Sequence, residues 1–416
     1  MPNPSLLIVP ARFKTGRLYS QIPSNTDNRG DFNVTRATAA TRVNSAGLIE
    51  SVASGIPRLD YFASGGVVGC PALLVEPAAT NLVPIGLTFN SAAGVLYDTT
   101  VTGSPAVSIN SARITKNEAS GTLRYANQNC STNALAGTTT YTISRFFKYD
   151  GVDFATSMEY NSSTQWGVSW NQAINIASTG ITLGTSTACT GSVENYGNGW
   201  YRVAVRMTTG ASPTGSPVTY LMRLPAALST GQGFLTALPQ LETGSVATSY
   251  IPTTTAAITR GADVISKTGV SSLIGQTEGT IYAEFSVDFN NRNADILSIN
   301  AGNSNNGFFM SLRDTSVVQL IVRTLGNNEL IFQRVGAFSI GVNKLAMAYK
   351  NGDFAICLNG TAVQTNTNNI TMPSVSINKI GLGDSALYAL DRQLRIRATA
   401  LLPTRLTNAQ LQALTT

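Results

Sequence analysis

The chain has no histidine, and only 12% of its 416 residues are charged. Without imidazole it lacks the usual general base near neutral pH, the Ser-His-Asp and Cys-His arrangements, and the commonest metal ligand. The low charge, against about 25% in an ordinary soluble domain, leaves the surface to Ser, Thr, Asn and Gly, because a hydrophobic fraction of 43% is a normal core supply. Such a neutral, hydroxyl-rich exterior suits pleated sheets and packing against other subunits without charge repulsion. Clustered basic charge is missing too. The 28 Lys and Arg residues give a formal +6 but are scattered singly, unlike a patch that tracks phosphates, so nucleic acid is not expected as a partner. The cysteines, Cys70, Cys130, Cys189 and Cys357, form no CxxC pair, which excludes a zinc knot and a dense disulfide framework and leaves free buried thiols as the expectation. The apolar run at residues 5–10 is far too short to span a membrane and lacks a basic flank, so neither a signal peptide nor membrane insertion is expected, and synthesis in a cytoplasm is.

Helical periodicity is nearly absent until the last dozen residues. What recurs instead is short Val/Ile/Thr/Tyr/Phe runs punctuated by Gly, Asn and Ser, the pattern of sandwiches and jelly rolls. The expected fold class is all-β, with an extended N-terminal arm and hairpin, a jelly-roll sandwich, and a second sandwich ending in a short helix. At this length two or three modules are expected. Residues 1–80 read as the arm: a strand–turn–strand at 40–51, then Pro/Gly-rich chain too poor in periodic apolar residues to make its own core, and so expected to wrap on a neighbour. Residues 81–252 hold eight strand candidates, at 111–115, 123–126, 140–149, 154–160, 166–171, 200–207, 218–224 and 234–241. Residues 253–262 follow a proline, bury little and read as a linker. Residues 263–416 open with Ile281, Ala283, Phe285 and Val287 on one face by strict alternation. Asn351-Gly352 and Asn359-Gly360 separate three strand runs between 344 and 363, a meander. Leu411 and Leu414, with Thr407 as N-cap, predict the terminal helix.

The segment Cys70-Pro71-Ala72-Leu73-Leu74-Val75-Glu76-Pro77-Ala78-Ala79-Thr80-Asn81-Leu82 resembles one that recurs in bacteriophage structural proteins, of the form LLIEP..TNL, where it precedes a carbohydrate-binding-like jelly roll. Gly197-Asn198-Gly199-Trp200-Tyr201-Arg202-Val203, Pro239-Gln240-Leu241-Glu242-Thr243-Gly244, Thr248-Ser249-Tyr250-Ile251-Pro252-Thr253 and Thr259-Arg260-Gly261-Ala262-Asp263 agree with it in order. So do the stretches at 32–36, 40–43 and 47–50, and together the matches cover most of residues 30–263. The last region is similar to laminin-G or concanavalin-like sandwiches, by pattern more than by motif. The resemblance implies a head-fibre, tail-fibre or capsid-decoration component in the virion, homo-oligomeric with a trimer favoured. It implies contact with other virion proteins through the arm and with host-surface glycan through lectin-like modules. It also assigns Glu76, Asn81, Trp200, Glu242, Tyr250 and Arg260 to the structural motif.

Trp166, Val168 and Trp170 share one face if 166–171 is a strand, and with Tyr160 they could form an aromatic sugar platform; core packing is the competing reading. Tyr149 shares that ambiguity. Glu76 and Glu242 could be a general acid and base of glycoside hydrolysis, which would make the chain a surface-polysaccharide depolymerase. Pairing with Arg36, Arg42 or Arg260, or accepting backbone N–H bonds, is the structural alternative, and the expectation is a chain with no catalytic residues and no cofactor. Asp288, Asp295 and Asp384 lack the alternating oxygen-ligand spacing of a calcium loop, so no metal site is expected, and the calcium that lectin-like sandwiches sometimes hold is not demanded by any residue pattern.

Overall fold

The computed structural model describes residues 2–24, 28–84, 88–287, 293–313, 317–334, 338, 340–384, 387 and 393–416. Among them the strands form four large antiparallel sheets and two two-stranded ladders, and the one α-helix is Asn408–Thr415. The all-β expectation holds.

Two of the sheets make the jelly roll. The six-stranded sheet runs Val95–Val101, Ser111–Lys116, Gly233–Thr243, Thr140–Lys148, Trp200–Thr208, Thr190–Gly197, and the five-stranded sheet runs Arg124–Ser131, Val218–Leu224, Phe154–Tyr160, Trp170–Ala177, Gly180–Thr187. Strand alternation explains their packing: Ile143, Phe147, Val203 and Val205 of one sheet meet Met158, Ile174, Tyr220 and Met222 of the other in a closed core. The expected strand at 166–171 begins only at Trp170. Gly167, at a φ of +67°, lies against the backbone of Gly210, a close approach that takes residues 166–169 out of extended geometry.

The second sandwich draws strands from both ends of the chain. Its eight-stranded sheet pairs Leu394–Leu402 with Gly66–Val75 and with Leu6–Ile8, while its nine-stranded sheet pairs Val264–Thr268 with Phe32–Thr35. Leu6, Ile8, Phe32, Val34, Leu73 and Val75 enter the same core as Ile281, Ala283, Phe285 and Val287. The arm therefore wraps on this chain's own last region. Its strands are too short to own a core, but each adds one to three apolar side chains to a core supplied mainly from residues 264–402. Topologically, the jelly roll is inserted between Val75 and Val264 of the larger sandwich. The stretch read as a linker carries Ile258–Arg260, which pairs with Ala79–Asn81 where the chain leaves and re-enters. The meander is present, with its third strand at Gln364–Asn366, just beyond the expected 361–363.

Three outer sheet faces matter for function. The hairpin Ala40–Val43/Ile49–Val52, closed by Asn44 and Gly47, covers the six-stranded sheet through Val43, Ile49, Phe146, Trp200 and Tyr250. The terminal helix, held by a Thr407–Gln410 capping box, lies on the eight-stranded sheet through Leu411 and Leu406. Among the described residues, the outer face of the five-stranded sheet leaves Asn127, Leu221 and Asn171 half-buried and Thr187 exposed.

Candidate functional site

The motif residues converge on one buried joint between the two sandwiches. Arg58 donates from Nη1 to Glu76 Oε2 at 2.6 Å, to Ser249 Oγ at 2.9 Å and to the Thr41 carbonyl at 3.1 Å, and from Nη2 to Asp263. Asp263 also accepts from Arg36 Nη1 at 2.9 Å and from the Glu76 amide at 3.0 Å, while Arg260 Nη2 stands 3.4 Å from Glu76. Glu76 accepts from the amide and hydroxyl of Ser249 at 2.8 and 2.6 Å. Burial alone would raise the Glu76 carboxyl, but Arg260, Arg58 and Ser249 hold it well below the usual carboxylate range. Burial likewise opposes the charge on Arg58, and Asp263 and Glu76 override it. Arg36 is lowered by burial, with Asp263 opposing.

A second network adjoins the first. Glu242 accepts from the Thr248 amide at 2.9 Å, the Thr248 hydroxyl at 2.5 Å and Gln240 Nε2 at 2.6 Å, and here burial wins, raising the carboxyl. Arg202 bridges the Thr248 carbonyl and Ser144 Oγ, at 2.7 and 2.9 Å. Asn81 pins both chain passages, donating to the Ile251 carbonyl at 2.9 Å and accepting from the Val83 and Leu241 amides at 3.1 Å. Trp200 Nε1 donates to the Gly103 carbonyl at 2.9 Å. Glu76 and Glu242 thus meet at adjacent residues, Ser249 and Thr248, but both are sealed from solvent at 0% and 1% exposure. No sugar reaches either one.

The aromatic platform does not form on the surface. Trp166 and Trp170 pack edge to face at 5.3 Å inside the jelly-roll core, with Trp166 Nε1 donating to the Thr219 carbonyl at 2.8 Å. Tyr160 joins the same core, its hydroxyl paired with Thr164 Oγ1 at 3.0 Å, and Tyr149 packs partly buried against it. Rings this buried offer no face to a ligand, which corrects the sugar-binding assignment of Tyr160, Trp166 and Trp170. Cys130 and Cys357 are buried free thiols as expected, whereas Cys70 is exposed. Asp295 and Asp384 are each tied to serines, Ser311 and Ser298, and Asp288 lies outside the described residues. Among the described residues no three acidic or Cys side chains gather as metal ligands, and no helix is long and apolar enough to cross a membrane.

A partly accessible polar surface lies on the outer face of the five-stranded sheet. Register places Asn127 opposite Leu221, Leu221 opposite Glu159, Glu159 opposite Asn171 and Asn171 opposite Thr187, one row across all five strands and about 19 Å long at the usual strand spacing. Tyr125 opposite Arg223, and Asn129 opposite Thr219, flank that row. Glu159, nearly buried at its centre, accepts from Asn161 Nδ2 at 2.8 Å and from Asn171, Ser157 and Tyr125. Asn90 Nδ2 ties Asn127 and Asn129 together at 3.2 and 2.8 Å. This is a surface of amides and hydroxyls with one carboxylate and one guanidinium among its named residues. Sequence reasoning passed over it, although the signal was present: Asn127 and Asn129 alternate with buried Ala126, Gln128 and Cys130, and Glu159 alternates with Met158.

No family model matches the chain, and no curated protein matches it in sequence. Solved structures similar to parts of it include the CBM40 module of the Ruminococcus gnavus IT-sialidase bound to α2,3-sialyllactose, at 17% identity over 35% of this chain and 87% of that one, with a TM-score of 0.30. The NanB sialidase of Streptococcus pneumoniae is similar at 19% identity over 36% of this chain and 26% of that one, TM-score 0.31, and the Trypanosoma rangeli sialidase at 9% over 73% and 60%, TM-score 0.28. At these scores the likenesses bear on neither ligand nor reaction.

Proposed function

We propose that this chain is a non-enzymatic structural protein of a bacteriophage particle that displays the open face of its five-stranded sheet for adhesion to host-surface glycans. The observation that carries the adhesive part is the pair of accessible amides, Asn127 and Asn171, in the row that runs over buried Glu159, on a jelly roll whose other sheet is covered by the N-terminal hairpin. Sugar hydroxyls are matched by side-chain amides held in place by hydrogen bonds to their own neighbours. The particle role rests on the phage-type segments, whose Glu76, Asn81, Ile251 and Asp263 meet, with Arg58, in the joint that fixes the jelly roll on the larger sandwich. Contact with other virion proteins falls to the exposed part of the N-terminal stretch, where Val9 and Phe13 face solvent, and copies assemble as a homo-oligomer, a trimer being favoured. Hydrolysis is not proposed, because Glu76, Glu242 and Asp263 are sealed within the joint.

Adsorption of the purified chain to host cells, together with antibody labelling of purified particles, tests both halves. Labelled particles and saturable adsorption that the host's isolated surface polysaccharide competes away are expected. Unlabelled particles overturn the virion role, and adsorption that no polysaccharide displaces overturns the glycan role.

A further inference from the structure

The amides of the open face have a direction, and the buried carboxylate beneath them sets half of it. Glu159 takes side-chain donors on both carboxyl oxygens. Asn161 and Asn171 both turn Nδ2 toward it, alongside Ser157 and Tyr125, so each presents its Oδ1 away from the carboxylate. That end of the row is a hydrogen-bond acceptor pole. Two strands away the orientation reverses. Asn90 Nδ2 donates to the Oδ1 atoms of Asn127 and Asn129, which leaves their Nδ2 groups as the outward donors, and exposed Arg223, opposite Tyr125, adds a guanidinium. This end is a donor pole. The poles lie roughly 10–14 Å apart, two to three strand spacings, with Leu221 between them as an apolar floor.

Resting on the glycan reading of this face, we infer that its ligand is an oligosaccharide that places free hydroxyls on Asn161 and Asn171 and, one pole away, a carbonyl-type acceptor on Asn127, Asn129 and Arg223. An N-acyl amide and a carboxylate share that acceptor chemistry. A glycan bearing hydroxyls alone satisfies the acceptor pole but uses the donor pole poorly, because a hydroxyl is a weaker acceptor than a carbonyl or carboxylate oxygen, and a buried donor left unpaired is costly. The span also exceeds the reach of a single sugar ring, so monosaccharides engage only one pole.

Three length-matched probes test this on the full chain by calorimetric titration: cellotriose, chitotriose and trigalacturonate. The expected result is at least tenfold tighter binding of chitotriose or trigalacturonate than of cellotriose. Glu159→Gln, nearly isosteric, brings a donor under the acceptor pole and turns one asparagine around, so all three probes, whose hydroxyls share that pole, weaken by about threefold or more. Arg223→Gln, at an exposed position, weakens trigalacturonate tenfold or more if the acceptor is a carboxylate, and leaves chitotriose bound if it is an amide. Equal affinity for all three probes, or a Glu159→Gln chain that unfolds like wild type and binds every probe as tightly, overturns the inference while leaving the glycan face standing. No binding of any probe at millimolar concentration overturns the inference and the glycan reading beneath it together.

Discussion

Glu76 and Glu242 find their partners in neighbouring residues, Ser249 and Thr248, yet their surroundings move the two carboxyls in opposite directions. Glu76 lies below its unfolded value of about 4.3, so its contribution to stability is complete above that pH and drains away as pH falls through the folded value. Glu76→Gln is expected to cost about 3–5 kcal/mol at pH 7, because it leaves Arg58 and Arg260 under-compensated, and to flatten the acid limb of the Tm–pH curve. Glu242 lies above its unfolded value, so its favourable term is present at low pH and lost as pH rises through the folded value. The Tm of Glu242→Gln relative to wild type should therefore rise as pH climbs above about 4.3, whereas that of Glu76→Gln should stay level there and rise only as pH falls below about 4.3, and thermal melts on both sides of that pH check both. Both glutamates could be picked out in the sequence as motif residues. The burial of Glu76 could not, because it depends on Asp263 and Ser249, which lie more than 170 positions from it along the chain.

Elements with a local cause were legible. The helix Asn408–Thr415 follows from its Thr407 cap, and the strands Phe154–Tyr160 and Val218–Leu224 from alternation of apolar side chains. Edge strands were not. Gly180–Thr187 has only Ile181 and Leu183 as apolar residues among Thr, Ser and Gly at the rim of its sheet, too short an alternation to mark a strand, and Thr190–Gly197 has Val193 and Tyr196 at a spacing that is not alternate. The interruption at 166–169 was hidden because Gly167 alone does not announce its positive φ, and the Gly210 backbone it packs against is distant in sequence. Thr407→Ala should lower stability by about 1 kcal/mol, measured by denaturant titration, through loss of the capping box on a helix that covers the eight-stranded sheet. Gly167→Ala should cost more than about 1 kcal/mol, since it combines a positive φ with a methyl group 2.7 Å from the Gly210 Cα.

For the whole molecule, the insertion of one sandwich in another is what composition and motif order could not reveal. Pro/Gly-rich chain with few apolar residues gives the same local pattern whether it is a free arm or the end of a distant sheet. Pairing of Leu6 with Leu401, Val34 with Ile265 and Leu73 with Ile396 makes it the latter. Residues 263–416 expressed alone should show no cooperative unfolding, because Phe32, Leu73 and their neighbours are missing from the core. The same arrangement holds the jelly roll by two chain passages and a sealed ionic joint, with one sheet covered and the other facing outward. The measurement that bears most directly on this account is glycan-array binding of the intact chain beside an Asn127→Ala/Asn171→Ala variant, with thermal melts of both. Retention of oligosaccharides by wild type, and at least a tenfold loss in a variant of unchanged Tm, is the predicted result; an array on which wild type is silent, or on which the variant binds equally well, would contradict it.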